Sequence, residues 1–244
     1  MKQFLCITTL ALALCLSLPG VSHSIPIGLE LALGVDVSGS VDSTEYELQK
    51  QGYVNAFNNL GSFGSFEPFV ATYFEWSDVI TPQVGWTMIS NVSEAMSFAT
   101  AIDNIARGGG TFTDPDIAID YGVDLIQNNN YEGTRRIIDI SGDGTGSSTS
   151  TQLERDFAES LGITVNGLAI GSSSISDWYT NNLITSDGFV ISAESFEDFG
   201  DAITQKLQQE VIDPNPIPEP TSMALLAAGA IPLGFSRLRK RFKK

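Results

Sequence analysis

Beyond residue 24 the chain has no cysteine and no histidine: Cys6, Cys15 and His23 account for all of both. That part therefore has no disulfide, no thiolate or imidazole metal ligand, no cysteine nucleophile and no Ser-His-Asp triad. Hydrolysis by paired carboxylates stays open. Bases are scarce too, with 13 Lys and Arg against 29 Asp and Glu. Seven of the bases are Lys2 and the six from Arg237 to Lys244, and Glu219 is the one acid at these ends. Residues 25–217 thus carry six bases against 28 acids, a net charge of −22. A phosphate backbone needs a basic face, so nucleic acid is not an expected partner. Cation binding and solubility fit such a surface better.

Long hydrophobic runs are confined to the two ends. Lys2, an apolar stretch from Phe4 to Leu18, and then Ser22-His23-Ser24 follow the order of a secretory signal, which places the mature start near Ile25. The run is shorter than the ~20 residues of a membrane span. At the other end, Pro218-Glu219-Pro220 precedes an apolar segment from Met223 to Phe235 and the basic cluster Arg237, Arg239, Lys240, Arg241, Lys243 and Lys244. Physically this is a short membrane-inserting stretch stopped by positive charge, and a simple tail anchor has the same order. The three parts in this order resemble the PEP-CTERM sorting signal of certain biofilm-forming Gram-negative bacteria. The resemblance implies transient membrane insertion through residues 223–235. It also implies a dedicated membrane transpeptidase that cuts near Pro218 and releases or re-anchors the protein outside. The expected organisation is a signal peptide (1–24), one domain (25–212), a Pro-rich linker (213–217) and the sorting signal (218–244).

Within the domain, strands and helices alternate. Leu29 to Val37 reads as a strand and Ser43 to Asn59 as a helix. Phe69 to Trp76 and Val79 to Trp86 are close enough for a hairpin, hence an antiparallel edge. Ser93 to Ile105 is a helix with Ser93 as its N-cap. After Gly108-Gly109-Gly110, Asp114 and Pro115 start a helix to about Gln127. Strands at Arg136–Ser141, Ile163–Ile170 and Phe189–Ser192 follow, with helices at Thr151–Leu161, Ser176–Leu183 and Phe196–Val211. The expected fold class is α/β, a doubly wound and mostly parallel sheet with one antiparallel edge strand and helices on both faces.

In such a sheet ligands bind outside the carboxyl ends of the strands. The first strand ends in Asp36-Val37-Ser38-Gly39-Ser40, the glycine loop brings Thr111 to the same edge, and a later strand ends in Ser141-Gly142-Asp143-Gly144. Asp36, Ser38, Ser40, Thr111 and Asp143 are all hard oxygen donors, which suit Mg²⁺ first, and Ca²⁺ or Mn²⁺. Three of the five are uncharged, so the metal keeps exchangeable waters and can accept a partner's carboxylate. Thr113 is the alternative to Thr111. Asp114 and Asp116 fit helix capping, Asp139 a hydrogen-bonded core acid, and Trp76, Trp86 and Trp178 core or edge packing. No Gly-Lys-Ser/Thr follows the glycines, so a phosphate cradle is not expected.

Asp36-x-Ser38-x-Ser40, a Gly-Gly-x-Thr loop and Asp143-Gly144 after a hydrophobic strand are similar to the metal-ion-dependent adhesion site of von Willebrand A domains. Val35 to Val41, Gln49 to Tyr53, Ile138 to Gly144 and Asn166 to Ile170 also look like an uncharacterised bacterial family of that fold. Gly142 stands where the broader fold usually has Thr. The resemblance implies a binding module, exported to the cell surface or matrix, that holds a divalent cation and binds a protein or exopolysaccharide through a carboxylate. Its alternatives are a scaffold with a purely structural metal, and a metal-assisted extracellular hydrolase. Without histidine or an evident general base beside the site, the chain is not expected to be an enzyme.

Overall fold

The computed structural model describes residues 24–212. The expected signal peptide (apart from Ser24), linker and sorting signal lie outside the described residues. These residues form, in order, β1 (Ile25–Asp36), α1 (Ser43–Asn58), β2 (Phe69–Trp76), β3 (Ile80–Ile89), α2 (Val92–Asp103), α3 (Pro115–Gln127), β4 (Tyr131–Gly142), α4 (Ser148–Ser160), β5 (Thr164–Ile170), α5 (Ser173–Trp178), β6 (Val190–Ala193) and α6 (Phe199–Val211). The sheet order is β3-β2-β1-β4-β5-β6. All pairings are parallel except β2 with β3, as the short 76–80 connection requires. The doubly wound α/β class is thus the observed one.

Burial explains the order. Every residue of β1 from Leu29 to Asp36 is buried, as is all of β2, and such strands need cover on both faces. One face carries Leu31, Leu33 and Val35 of β1 against α1, α2 and α6, through Tyr53, Phe57, Phe98, Phe199 and Ile203. The other carries Ala32, Ile138, Ile140 and Val165 against α3 and α4, through Ile119, Val123 and Ala158. The chain leaves β1 toward β2 and later crosses to β4 on the other side. This opens a crevice between the C-terminal ends of β1 and β4, where open α/β sheets bind ligands.

Several boundaries differ from the expectation, each for a local reason. α2 is capped by Asn91, whose side chain accepts the Glu94 N–H, so Ser93 lies inside the helix. α3 starts at Pro115 as expected, but Asp114 makes no side-chain cap bond. β4 begins at Tyr131, five residues early, because it pairs with β1 from Ile25 onward. α4 begins at Ser148, capped by the Ser147 hydroxyl. The expected helix Ser176–Leu183 is α5 followed by a wide π-type turn, Tyr179–Leu183. α1 carries a full capping box between Asp42 and Glu45.

Candidate metal centre

Asp36 is the last residue of β1 and has no solvent exposure. Its Oδ1 accepts the Ser38 N–H at 2.8 Å, a turn that swings the next two hydroxyls to the same side. Oδ2 is buried and has no hydrogen-bond partner. Ser38 Oγ and Ser40 Oγ are 3.2 Å apart, and Ser40 Oγ donates to Asp143 Oδ1 at 2.7 Å. The side chains of Asp36, Ser38, Ser40 and Asp143 thus converge at the crevice, from residues up to 107 positions apart.

Thr111 is not part of this chain through its side chain. Its N–H donates to Asp78 Oδ1 at 2.6 Å, and its carbonyl accepts the Gly39 N–H at 3.0 Å. The threonine hydroxyl that reaches the serines is that of Thr113, which donates to Ser38 Oγ at 3.1 Å. Two constraints set this register. Gly110 turns the chain at φ +139, with a hypothetical Cβ only 1.6 Å from Ser77 Oγ, and Asp78 grips the N–H groups of both Thr111 and Phe112. The loop is therefore pinned before Thr113, and Phe112 is left 68% exposed at its tip. Spacing from the glycines points to Thr111; the hydroxyl bonded to Ser38 is that of Thr113.

Gly142 is explained by close approach. A Cβ there would lie 2.7 Å from Asp36 Oδ2 and 2.9 Å from the Tyr179 hydroxyl. The phenol comes from the π-type turn and is fully buried without a hydrogen-bond partner. Burial, and then the charges of Asp36, Asp143 and Asp139, hold its ionisation far above the ordinary range. The Tyr179 side chain thus fills the room that a threonine at 142 would need.

Burial pushes the Asp36 carboxyl up to about 7; the negative charge of Asp143 adds to this, and the hydrogen bonds from Ser38 oppose it. A buried acid with one orphaned oxygen beside another carboxylate and three hydroxyls is a set that a hard cation satisfies. Among the described residues no three His, Cys, Asp or Glu side chains gather into a metal-holding group, so a cation at this crevice depends on the hydroxyls as well.

One residue at the site gave no sequence signal. Arg107 donates from Nη2 to the carbonyls of Val37, Ser38 and Val41, at 3.0, 3.3 and 2.7 Å. Its guanidinium stacks over the Tyr46 ring, 5.3 Å from the centroid. Half-buried, it ties the backbone of the 37–41 loop together at three carbonyls.

The fold is von Willebrand A-like. Similar solved structures include proximal thread matrix protein 1 from the mussel byssus with a zinc-occupied MIDAS motif, 17% identical over 75% of this chain and 45% of that one, TM-score 0.53. The SpRpn10 VWA domain is 14% identical over 77% of this chain and 99% of that one, TM-score 0.53. The PilB minor pilin from Streptococcus sanguinis is 12% identical over 76% of this chain and 62% of that one, TM-score 0.54. The chain spans less than half of the mussel protein's length, and at these identities the likeness is one of fold. No curated protein matches its sequence. The sequence does match one family over residues 26–215, so the chain belongs to DUF1194, described as protein of unknown function.

Proposed function

We propose that the domain is an exported binding module that holds one divalent cation, Mg²⁺ before Ca²⁺ or Mn²⁺, on Asp36, Ser38, Ser40, Thr113 and Asp143. It then recognises a partner through an acidic group that completes the coordination. The observation that carries this is the orphaned Oδ2 of fully buried Asp36 at the head of a hydroxyl chain that ends on Asp143. Two carboxylates match the charge of a divalent cation, and the three weakly held neutral donors leave it a position open to an outside carboxylate. Phe112, exposed on the same loop, offers that partner an apolar contact. The zinc in the MIDAS motif of the mussel protein supports a cation at this place in the fold. Export, the PEP-CTERM-type sorting signal and a matrix or cell-surface destination belong to this proposal and rest on the two ends of the chain.

Titration calorimetry of Mg²⁺, Ca²⁺ and Mn²⁺ into the purified protein, beside Asp36→Ala, tests it, with circular dichroism as the check on folding. Saturable one-to-one binding that is lost in a folded variant is the expected result. Absence of binding in the wild type would sink the metal-dependent reading.

A further inference from the structure

Lys206 of α6 has no solvent exposure, a rare state for a lysine. Its Nζ lies 2.6 Å from Oδ1 of Asp139 on β4 and 2.6 Å from Oε1 of Glu210 one turn further along α6, and all three side chains are buried. Asn166 of β5 donates to the same Glu210 oxygen at 2.7 Å, and the Phe189 ring lies over Nζ, 5.3 Å from the centroid. Tyr53 of α1, bonded to Ser141, and Tyr179 of the π-type turn are the other titratable neighbours of Asp139. Fully ionised, the triad would bury two negative charges and one positive charge away from water, an expensive arrangement. Nζ donates to Glu210 Oε1 and lies equally close to Asp139 Oδ1, so the amine sits between the two carboxyl groups.

We propose that Lys206 and Asp139 condense to an intramolecular isopeptide bond between α6 and β4, with Glu210 carrying the protons. Nζ passes one proton to the Glu210 carboxylate, and its freed lone pair attacks Cγ of the neutral Asp139 acid. Glu210 delivers that proton to the departing hydroxyl and takes up the second proton that the nitrogen sheds. The Cγ–O bond breaks, the Nζ–Cγ bond forms and one water leaves. Ammonium, acid and carboxylate become amide, water and acid, with no change of oxidation state. The product cluster is neutral, so the reaction removes the buried charge that the unreacted triad carries. Burial holds Asp139 in the acid form that has a hydroxyl to lose, since its carboxyl is pushed up to about 7 by desolvation and then by the Glu210 charge. Fixed proximity supplies the rest, as well-oriented intramolecular reactions reach effective molarities of about 10⁵–10⁸ M. The bond would fasten the last helix of the domain to the middle of its sheet.

The test is to denature the purified full chain, digest it with trypsin and weigh the peptides. The expected result is the 137–155 peptide covalently joined to the one carrying Lys206, short by the mass of one water, with no cleavage after Lys206. Glu210→Gln, checked for folding by circular dichroism, should give the two peptides separately. If it fails to fold, the wild-type digest decides alone. Separate peptides and cleavage after Lys206 in the wild type would overturn the proposal and leave a buried ion triad. A bond to Asn166 with loss of ammonia would overturn the assignment to Asp139, and a cross-link that persists in folded Glu210→Gln would overturn the role of Glu210.

Discussion

Thr113 and Thr111 differ by two positions in sequence and by their whole role in the crevice. The Thr113 hydroxyl bonds to Ser38, whereas Thr111 serves through its backbone, bonded to Asp78 and Gly39. Thr113→Ala should therefore weaken divalent-cation binding by about tenfold or more, the ~1.4 kcal/mol scale of one good polar interaction. Thr111→Ala should leave it within about twofold, since it keeps both backbone bonds. Calorimetry on the two variants side by side checks this, and equal effects would contradict the geometry. The convergence of Asp36, Ser38, Ser40 and Asp143 was legible because they sit at strand ends with fixed spacing. The threonine was not, because the choice depends on how Gly110 and Asp78 aim a loop, which no local pattern encodes.

At the scale of elements, the 37–41 loop is held by a side chain that reaches in from beyond α2. Arg107 replaces water on three carbonyls and keeps the strand-to-helix turn in one shape. Charge-assisted hydrogen bonds of this kind contribute ~1.5–3 kcal/mol. Arg107→Gln should lower stability by about 2 kcal/mol in urea unfolding and weaken cation binding as well, although Arg107 is not a donor to the cation. A loss of stability with unchanged cation affinity would show that the loop keeps its shape without the clamp. The elements themselves were readable from apolar periodicity, since β1, β2 and β5 are buried runs and α1 and α3 carry cap or proline signals. Their ends were harder to read. β4 gains five residues only because β1 offers a partner there, and the π-type turn at Tyr179–Leu183 places Tyr179 in the space above Gly142.

For the whole molecule, the crevice carboxyl makes stability depend on pH. Asp36 has an ordinary value of 3.8 and a folded value of about 7, so between these the folded state binds a proton that the unfolded chain has lost. Stability from this group is therefore greatest below pH 3.8, falls as pH rises toward 7 and is level above it, a change of at most about 4 kcal/mol. A cation displaces the proton, so its affinity should weaken about tenfold for each pH unit below 7. Melting curves from pH 5.5 to 8, with and without Mg²⁺, check both signs. The expected outcome is a metal-free melting temperature that drops as pH rises and a Mg²⁺-induced gain that grows with it. A gain equal at both pH values would contradict the assignment of Asp36 as the proton-linked ligand.

The sequence by itself determined the α/β class, the antiparallel edge and the place of the crevice, and it put Asp36, Ser38, Ser40 and Asp143 at the strand ends that meet there. These follow from hydrophobic period, chain connectivity and residues close together along the chain. Only the tertiary structure decided which threonine faces the serines, why residue 142 is glycine, and that Arg107 holds the loop. It alone brought Lys206, Asp139 and Glu210 into one dry pocket. Each of these depends on groups far apart in sequence meeting at distances of a few ångströms, and such meetings are fixed by the packing of the whole sheet against its helices.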